Sequence, residues 1–269
     1  MPELPEVQTV VNTLSPRVTG ATIRAVTLHR IDIVTPIGTD LVKHLTNRVI
    51  SQIERRGKRI VFTLDDGNRF FIHLGMTGRL TVESLDSEIL KHTHLIFDLH
   101  DGSQVRFRDP RRFGGVFWLG SDDPAGTMGP EPMTLRADEL FAKLKKTKRF
   151  VKTALLDQKL VAGLGNIYVD EALHAAGIYP KLRADRLNRQ QVEKLTVAIK
   201  TVLKRALKHR GSTLRDFVDA DGLKGAFQKL HRVYDREGKP CLTCGGSIKR
   251  IVLGGRSTHF CPKCQKRSK

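Results

Sequence analysis

Four cysteines close the chain in two pairs, Cys241-x2-Cys244 and Cys261-x2-Cys264, with 16 residues between the pairs. Two such knuckles, one at each end of a hairpin, bring four thiolates to one tetrahedral Zn²⁺. A pair of redox dithiols is the other chemistry open to them. Four thiolates leave no open coordination position, so the expected metal is one structural Zn²⁺. All the cysteines fall in the last 29 residues, whereas a disulfide-stapled secreted domain would spread them. The last 31 residues also hold eight Lys or Arg and no Asp or Glu, the balance of a nucleic-acid contact module. The turn Gly254-Gly255-Arg256-Ser257 is expected to present Arg256 at its tip.

The other end of the chain begins Met1-Pro2-Glu3. An initiator Met before a small residue is normally trimmed, which would leave Pro2 with a free secondary amine. Such an amine condenses with an aldehyde to an iminium that has no N–H proton to lose, so it stays cationic and draws electrons. Glu3 beside it has the chemistry of a general acid. The plainer reading is that Pro2 and Pro5 only start a helix.

Two further stretches suit phosphate. Residues 143–152, KLKKTKRFVK, carry six basic side chains, which alone would read as a solvated helix face. The turn Ala162-Gly163-Leu164-Gly165-Asn166 precedes an apolar helical pattern. Its glycines allow close backbone approach, and a helix N-terminus offers free N–H groups to a phosphate. A tight interhelical turn would look the same.

The whole chain fits a polyanionic partner. Net charge is +19 over 269 residues, and each Lys or Arg placed on a phosphate releases condensed counterion. Aromatic content is only 6%, with one Trp, which argues against a surface built mainly on base stacking along a single strand. No stretch approaches 18 consecutive apolar residues, and the acidic start lacks an apolar signal core, so a cytoplasmic protein without a membrane span is expected.

These residues must be positioned by ordinary elements. Val7, Val10, Val11 and Leu14 share one face of a predicted helix over 5–14. Pro5 suits its first turn, and Glu3 and Glu6 complement its N-terminus. From about 20 to 120 the pattern is β. Arg59–Leu64 and Phe70–Leu74 flank Asp65-Asp66-Gly67, and His94–Leu99 and Gln104–Arg108 flank Asp101-Gly102. Both are hairpin signals, and a two-sheet sandwich or flattened barrel follows. Ser121–Pro132 has loop chemistry and marks a domain boundary. Residues 135–218 read as helical, with Ile167–Ala176 a short helix stopped by Gly177 and Pro180. The fold class is therefore α+β and multidomain. Its expected parts are a β-sandwich domain with an N-terminal helix (1–120), a linker (121–134), a helical domain (135–234) and a β-hairpin zinc ribbon (235–269).

The start Met1-Pro2-Glu3-Leu4-Pro5-Glu6-Val7 resembles that of the bacterial formamidopyrimidine-DNA glycosylases, also called 8-oxoguanine DNA glycosylases. So do His73-Leu74-Gly75-Met76-Thr77-Gly78, Asp109-Pro110-Arg111-Arg112-Phe113-Gly114 and Gly163-Leu164-Gly165-Asn166-Ile167-Tyr168. The tail Arg256–Gln265 fits as well, and the matches run the length of the chain in order. The resemblance implies a helix–two-turn–helix DNA-binding domain and a base-excision-repair enzyme that removes oxidised purines from duplex DNA. It also implies a Schiff base on the N-terminal proline and strand cleavage by β,δ-elimination. A monomer located with the bacterial nucleoid is expected.

Roles carry over residue by residue as implications of that resemblance. Pro2 would attack C1′ of the damaged nucleotide, and Glu3 would protonate the opening sugar. Lys58 matches the lysine that assists early chemistry and binds phosphate. Asn166 and Arg256 would clamp phosphates beside the lesion, and His92 and Lys148 would contact the DNA backbone. Met76, Arg111 and Phe113 match the triad that fills the gap left by the extruded base. Asp219–Phe227 matches the loop that covers that base. Three positions depart from the family pattern: Gln8 replaces a common Glu, and Arg210 and Asp235 stand where Gly is usual. The Asp235 change bears on the approach to the zinc ribbon. Two other readings compete. A sister endonuclease for oxidised pyrimidines would lack Leu4 and the Arg111/Phe113 pairing, and a non-catalytic DNA-shape binder would lack Pro2, Glu3 or Lys58.

Overall fold

The computed structural model describes residues 1–266, so the last three residues of the expected zinc-ribbon module lie outside the described residues. The chain forms two compact units, one of residues 1–126 and 209–226, the other of residues 127–208 and 227 onward.

The first unit opens with helix α1, Leu4–Val18, which begins one residue before the expected 5–14 run and extends four residues beyond it. Its apolar stripe of Val7, Val10, Val11, Leu14 and Val18 is buried, as the spacing requires. Nine strands follow in chain order: β1 (Ile23–Leu28), β2 (Val34–Thr35), β3 (Ile50–Arg56), β4 (Arg59–Leu64), β5 (Arg69–His73), β6 (Arg79–Ser84), β7 (Thr93–Leu99), β8 (Ser103–Arg108) and β9 (Gly115–Gly120). A short helix α2, Leu41–Leu45, lies between β2 and β3, with Asp40 capping it through Lys43 N–H. The strands make two sheets, β1-β7-β8-β6 and β2-β9-β5-β4-β3. Both hairpins expected from their Asp-Gly turns are present, β4 pairing antiparallel with β5 and β7 with β8. Inward residues of both sheets, among them Phe62, Phe70, Phe97 and Phe107, join the α1 stripe in one core. Phe62 stacks on Phe70 and meets Phe97 edge-on.

The second unit holds α3 (Ala137–Lys145), α4 (Val151–Leu155), α5 (Asn166–Ala175) and α6 (Arg189–Lys208). It ends in an antiparallel hairpin of β10 (Lys249–Leu253) and β11 (Arg256–Phe260). Helix α6 buries Val192, Leu195, Ile199 and Leu203 and packs on α3 and α5. The turn between β10 and β11 is Gly254-Gly255 alone, both at positive φ, the two-residue turn whose twist matches its strands. Arg256 is therefore the first residue of β11 and faces Leu253, beside the tip rather than on it.

The helical reading of 135–218 overshoots. Helix α6 ends at Lys208, and Arg210 (φ 59°) and Gly211 (φ 75°) turn the chain in left-handed backbone that no helix continues through. The segment 209–226 is irregular and belongs to the first unit. It buries Phe217 and Ala220 in that unit's core, and the Ala220 carbonyl accepts Val82 N–H. Periodicity could not show this, because the segment's partners Glu6, Thr13 and Val82 lie about 140 to 207 residues earlier in the chain.

Candidate active site and nucleic-acid contacts

In the first unit, the chemistry expected at the N-terminus is set by α1. Glu3 is its N-cap, and a reciprocal capping box joins it to Glu6. Glu6 Oε2 accepts Glu3 N–H at 2.8 Å, and Glu6 Oε1 accepts Ser212 N–H at 2.6 Å. Glu6 is thus the post on which the backbone at Glu3 and the returning segment at Ser212 are both hung. Its role was not anticipated, although Glu three residues after an N-cap is a readable signal. Pro2 and Glu3 are buried, Glu3 to 2% exposure, while Met1 stands 49% exposed. Removing Met1 would therefore uncover the Pro2 nitrogen without dismantling the helix start.

Lys58 lies in the two-residue turn between β3 and β4 and is buried. It sits in the field of His73, at the end of β5. Burial pushes the His73 imidazole below its ordinary range, and the charges of Lys58 and Arg59 push it further. His73 is accordingly neutral, with Nδ1 accepting Gly75 N–H at 3.2 Å. That bond starts the loop carrying Met76.

Met76 and the pair Arg111 and Phe113 come together. The Arg111 Nη1 lies 3.9 Å from Met76 Sδ, and the guanidinium carbon is 4.9 Å from the Phe113 ring centroid. Phe113 is 56% exposed, so its ring and the Arg111 guanidinium over it are both accessible from solvent. The two loops touch backbone to backbone: a Cβ on Gly75 would sit 2.4 Å from the Gly114 nitrogen. His92 joins the same end of the unit with a left-handed backbone, φ 70°, and its carbonyl accepts Asp109 N–H.

The loop 219–226 is organised by Asp219, whose Oδ1 accepts the N–H groups of Asp221 and Leu223. Asp219 also pairs with Arg210. Arg210 and Asp235 both have left-handed backbones, φ 59° and 57°, which explains why glycine is the usual residue at both positions. At Arg210 the ion pair offsets the strain. Gln8, the third departure, accepts Arg55 Nε at 2.9 Å.

In the second unit, Asn166 is the first residue of α5, after Gly165. Its Nδ2 donates to the Ser257 carbonyl at 3.0 Å, which places it beside Arg256 at the start of β11. Arg256 and Lys148 are exposed, as phosphate contacts must be. The basic run 143–152 is neither one helix face nor wholly a surface patch. It spans the break between α3 and α4, and Lys152 is fully buried. Lys152 Nζ lies 2.7 Å from Asp170 Oδ1 and donates to the Ser257 carbonyl at 2.7 Å. Asp170 Oδ2 in turn accepts His259 N–H at 2.8 Å. One of the six basic groups is therefore spent inside the unit, where it fixes the hairpin beside Arg256. The next residue, Glu171, accepts the N–H groups of Arg232, Val233 and Tyr234. Helix α5 thus anchors both the hairpin and the chain leading to the cysteines.

The four cysteines meet as their spacing requires, with all Sγ atoms within 4.8 Å of one another. Cys241 to Cys264 is 3.9 Å and Cys244 to Cys261 is 3.4 Å. Tetrahedral zinc with Zn–S of about 2.3 Å sets sulfur separations of about 3.8 Å. Burial pushes the Cys241 thiol up, but the N–H groups of Thr243 and Cys244 and the His174 ring bring it down to about 5. Burial and the neighbouring sulfurs push Cys261 and Cys264 up. Four thiolates this close need a cation among them, and the donor set fits one zinc ion. Among the described residues, the apolar cluster around these cysteines adds Val233 and Ile248, too little to fold alone.

Three family models match the chain in sequence. The formamidopyrimidine-DNA glycosylase N-terminal domain matches residues 1–116, the formamidopyrimidine-DNA glycosylase H2TH domain matches 128–218, and a zinc finger found in FPG and IleRS matches 238–267. The formamidopyrimidine-DNA glycosylase of Bacillus licheniformis is 44% identical over 276 residues, covering 99% of this chain and 100% of its own. That of Caulobacter vibrioides is 43% identical over 286 residues, covering 98% and 100%. Among solved structures, a complex of a Lactococcus lactis FPG variant with DNA containing Fapy-dG has a TM-score of 0.93 at 36% identity, covering 99% of this chain and all of that one. The Lactococcus lactis Fpg complex with DNA containing an abasic site has a TM-score of 0.92 at 36% identity, covering 98% and 100%.

Proposed function

The chain belongs to the formamidopyrimidine-DNA glycosylase family, and from that premise we propose how its own residues carry out excision of oxidised purines and cleavage at the abasic site. The enzyme is a DNA glycosylase of base excision repair, acting on damaged double-stranded DNA. The observation that carries the mechanism is Pro2 at the head of α1, behind one exposed Met1 and beside the buried Glu3.

With Met1 removed, the Pro2 nitrogen lone pair attacks C1′ of the damaged nucleotide. The N-glycosidic bond breaks with its electron pair going to the base, which takes up the proton that the Pro2 nitrogen loses on bonding to C1′. Glu3 gives its proton to the ring oxygen as the sugar opens, leaving an iminium between Pro2 and C1′. The cationic iminium acidifies the C2′ proton, so its loss expels the 3′ phosphate, and a second elimination expels the 5′ phosphate. Water then hydrolyses the imine and frees Pro2. Lys58 supplies a charge for phosphate and early proton transfer. Met76, Arg111 and Phe113 fill the gap, Arg111 bonding the widowed base. His92, Lys148, Asn166 and Arg256 hold phosphates. Cys241, Cys244, Cys261 and Cys264 would hold one zinc ion, which would supply folding energy to the hairpin.

We infer a catalytic domain over 1–120, a linker over 121–134, a DNA-binding helical domain over 135–234 and a finger over 235–269. The three separate family matches support that division, with 209–226 contributing to the first unit. Each chain carries a full set of site residues, which supports a monomer. No helix among the described residues is long and apolar enough to cross a membrane. Genomic DNA as substrate supports a place in the bacterial cytoplasm with the nucleoid.

The test is a panel of single-lesion duplexes incubated with the enzyme and read by strand cleavage, with borohydride trapping on abasic DNA. A trapped adduct located on Pro2 by mass spectrometry is expected. Protein that retains Met1 yet traps at the normal rate would exclude Pro2.

A further inference from the structure

Asp109 follows β8, is wholly buried, and stands at the centre of six hydrogen bonds. Its Oδ1 accepts Thr77 Oγ1 at 2.5 Å and Arg111 N–H at 3.3 Å, and its Oδ2 accepts Gly114 N–H at 2.8 Å. Its own N–H donates to the His92 carbonyl at 3.0 Å. Its carbonyl accepts Arg112 N–H at 3.2 Å and lies 2.9 Å from His94 Nε2.

Five of these six bonds end on, or next to, a candidate DNA contact; the sixth reaches His94 in β7. Thr77 follows Met76, Gly114 follows Phe113, and Arg111 and His92 are bonded directly. The loop they form is strained. Arg112 holds a left-handed backbone, φ 56°, which a non-glycine residue keeps only where its surroundings impose it. The bond from Arg112 N–H to the Asp109 carbonyl closes the turn 109–112 that carries Arg111, and the bond from Gly114 N–H to Asp109 Oδ2 ties the following Phe113 to the same residue. A carboxylate is costly to bury unless its acceptors are used, and Asp109 uses both oxygens on these two loops.

We infer that Asp109 is the positioning residue for reading of the base opposite the lesion, with Thr77 as its link to the Met76 loop. The inference rests on the reading of Arg111 as the opposite-base contact. Guanidinium is donor-only, so it matches the O2 and N3 acceptors of cytosine and finds no equivalent pair on adenine. That distinction needs the guanidinium fixed to a fraction of an ångström, which the side chain alone cannot supply from an exposed turn. Asp109 supplies it by fixing the turn and coupling it to the neighbouring loop.

The experiment is single-turnover excision of 8-oxoguanine placed opposite cytosine and opposite adenine. Thr77→Val and Asp109→Asn are measured alone and combined with Arg111→Ala. Borohydride trapping on a single-stranded abasic oligonucleotide, which has no opposite base, reports catalytic competence separately. Thr77→Val removes the hydroxyl, and with it both the bond to Asp109 Oδ1 and the acceptor that Thr77 Oγ1 offers Arg111 N–H at 3.3 Å. Asp109→Asn keeps one acceptor oxygen and puts an NH2 donor against either Gly114 N–H or Arg111 N–H, so one of the two backbone bonds is lost. Each is expected to lower the cytosine-over-adenine ratio by about 5-fold or more, the lower end of one specific base contact. In the Arg111→Ala background neither should change the ratio further. If Asp109→Asn does not fold, Thr77→Val carries the test. A wild-type ratio in Thr77→Val and Asp109→Asn overturns the role of Asp109. So does a fall in the ratio that persists without Arg111. If Arg111→Ala alone leaves the ratio unchanged, the reading of Arg111 fails, and that result is separate from the other two.

Discussion

Replacing Lys152 with Met should cost the second unit about 3–5 kcal/mol, the penalty for stranding one member of a buried ion pair. The structure sets the size of the effect. Both Lys152 and Asp170 are at 0% exposure, 2.7 Å apart. Methionine keeps most of the stem volume, so little of the loss comes from packing. Asp170 would be left with His259 N–H as a donor and the His259 Nδ1 at 3.5 Å in place of the ammonium. The Ser257 carbonyl would keep Asn166 Nδ2 and lose the Lys152 ammonium. Asp170→Asn strands the ammonium instead and should cost a similar amount. The double variant Lys152→Met/Asp170→Asn strands no charge, and its remaining loss is that of an imperfectly satisfied polar group, about 1–3 kcal/mol. The double should therefore be more stable than either single, a coupling of about 2 kcal/mol or more. Urea unfolding of zinc-matched samples measures this. All three tyrosines, Tyr168, Tyr179 and Tyr234, lie in the second unit, and the one tryptophan, Trp118, lies in the first. Tyrosine and tryptophan emission thus report the two units separately. A loss below about 1 kcal/mol in Lys152→Met, or a double variant that loses the sum of the singles, would refute the argument.

Glu3→Gln keeps a capping acceptor on α1, so the fold should hold while base excision falls by about 10²–10⁴. Cleavage of a ready-made abasic site should fall less, and equal losses in a two-substrate assay would remove Glu3 from the excision step. Chelating zinc should abolish amide protection in β10 and β11 and weaken DNA binding, because Arg256 loses its position, while the two sheets of the first unit keep theirs. Hydrogen exchange of the metal-free protein checks both halves. Acid should destabilise the first unit through His73. Its folded-state affinity for a proton is below that of the unfolded chain, so the neutral ring's contribution is complete above about pH 6.5 and is lost as pH falls through the lower folded value. His73→Asn should flatten the tryptophan-detected stability profile below pH 6.5, and an unchanged slope would assign that slope elsewhere.

What the sequence made legible was local. Cysteine spacing depends on the reach of one knuckle, the Asp-Gly turns on two residues of backbone, and the α1 stripe on a 3.6-residue period, so each can be read within a short window. The features that were missed are all set by distant partners. Lys152 counted as one more surface charge in KLKKTKRFVK, since nothing in that window announces Asp170 or the Ser257 carbonyl. Asp109 sits inside a motif whose arginine and phenylalanine drew the attention, yet its carboxylate turns inward because Thr77, 32 residues earlier, offers it a hydroxyl. Glu6 was legible as a first-turn acid but not as the acceptor for Ser212, 206 residues away. The three share a logic. Charged side chains are expected outside, and each of these is inside, where it bonds at least one backbone group: Glu6 at Glu3 and Ser212, Asp109 at Arg111 and Gly114, Lys152 at Ser257. The chemistry-bearing residues themselves, Pro2, Arg111 and Arg256, are few and recognisable by type. Their placement rests on buried charges that a sequence pattern scores as solvent-facing, and mutating those charges should change specificity and stability before it touches the reacting atoms.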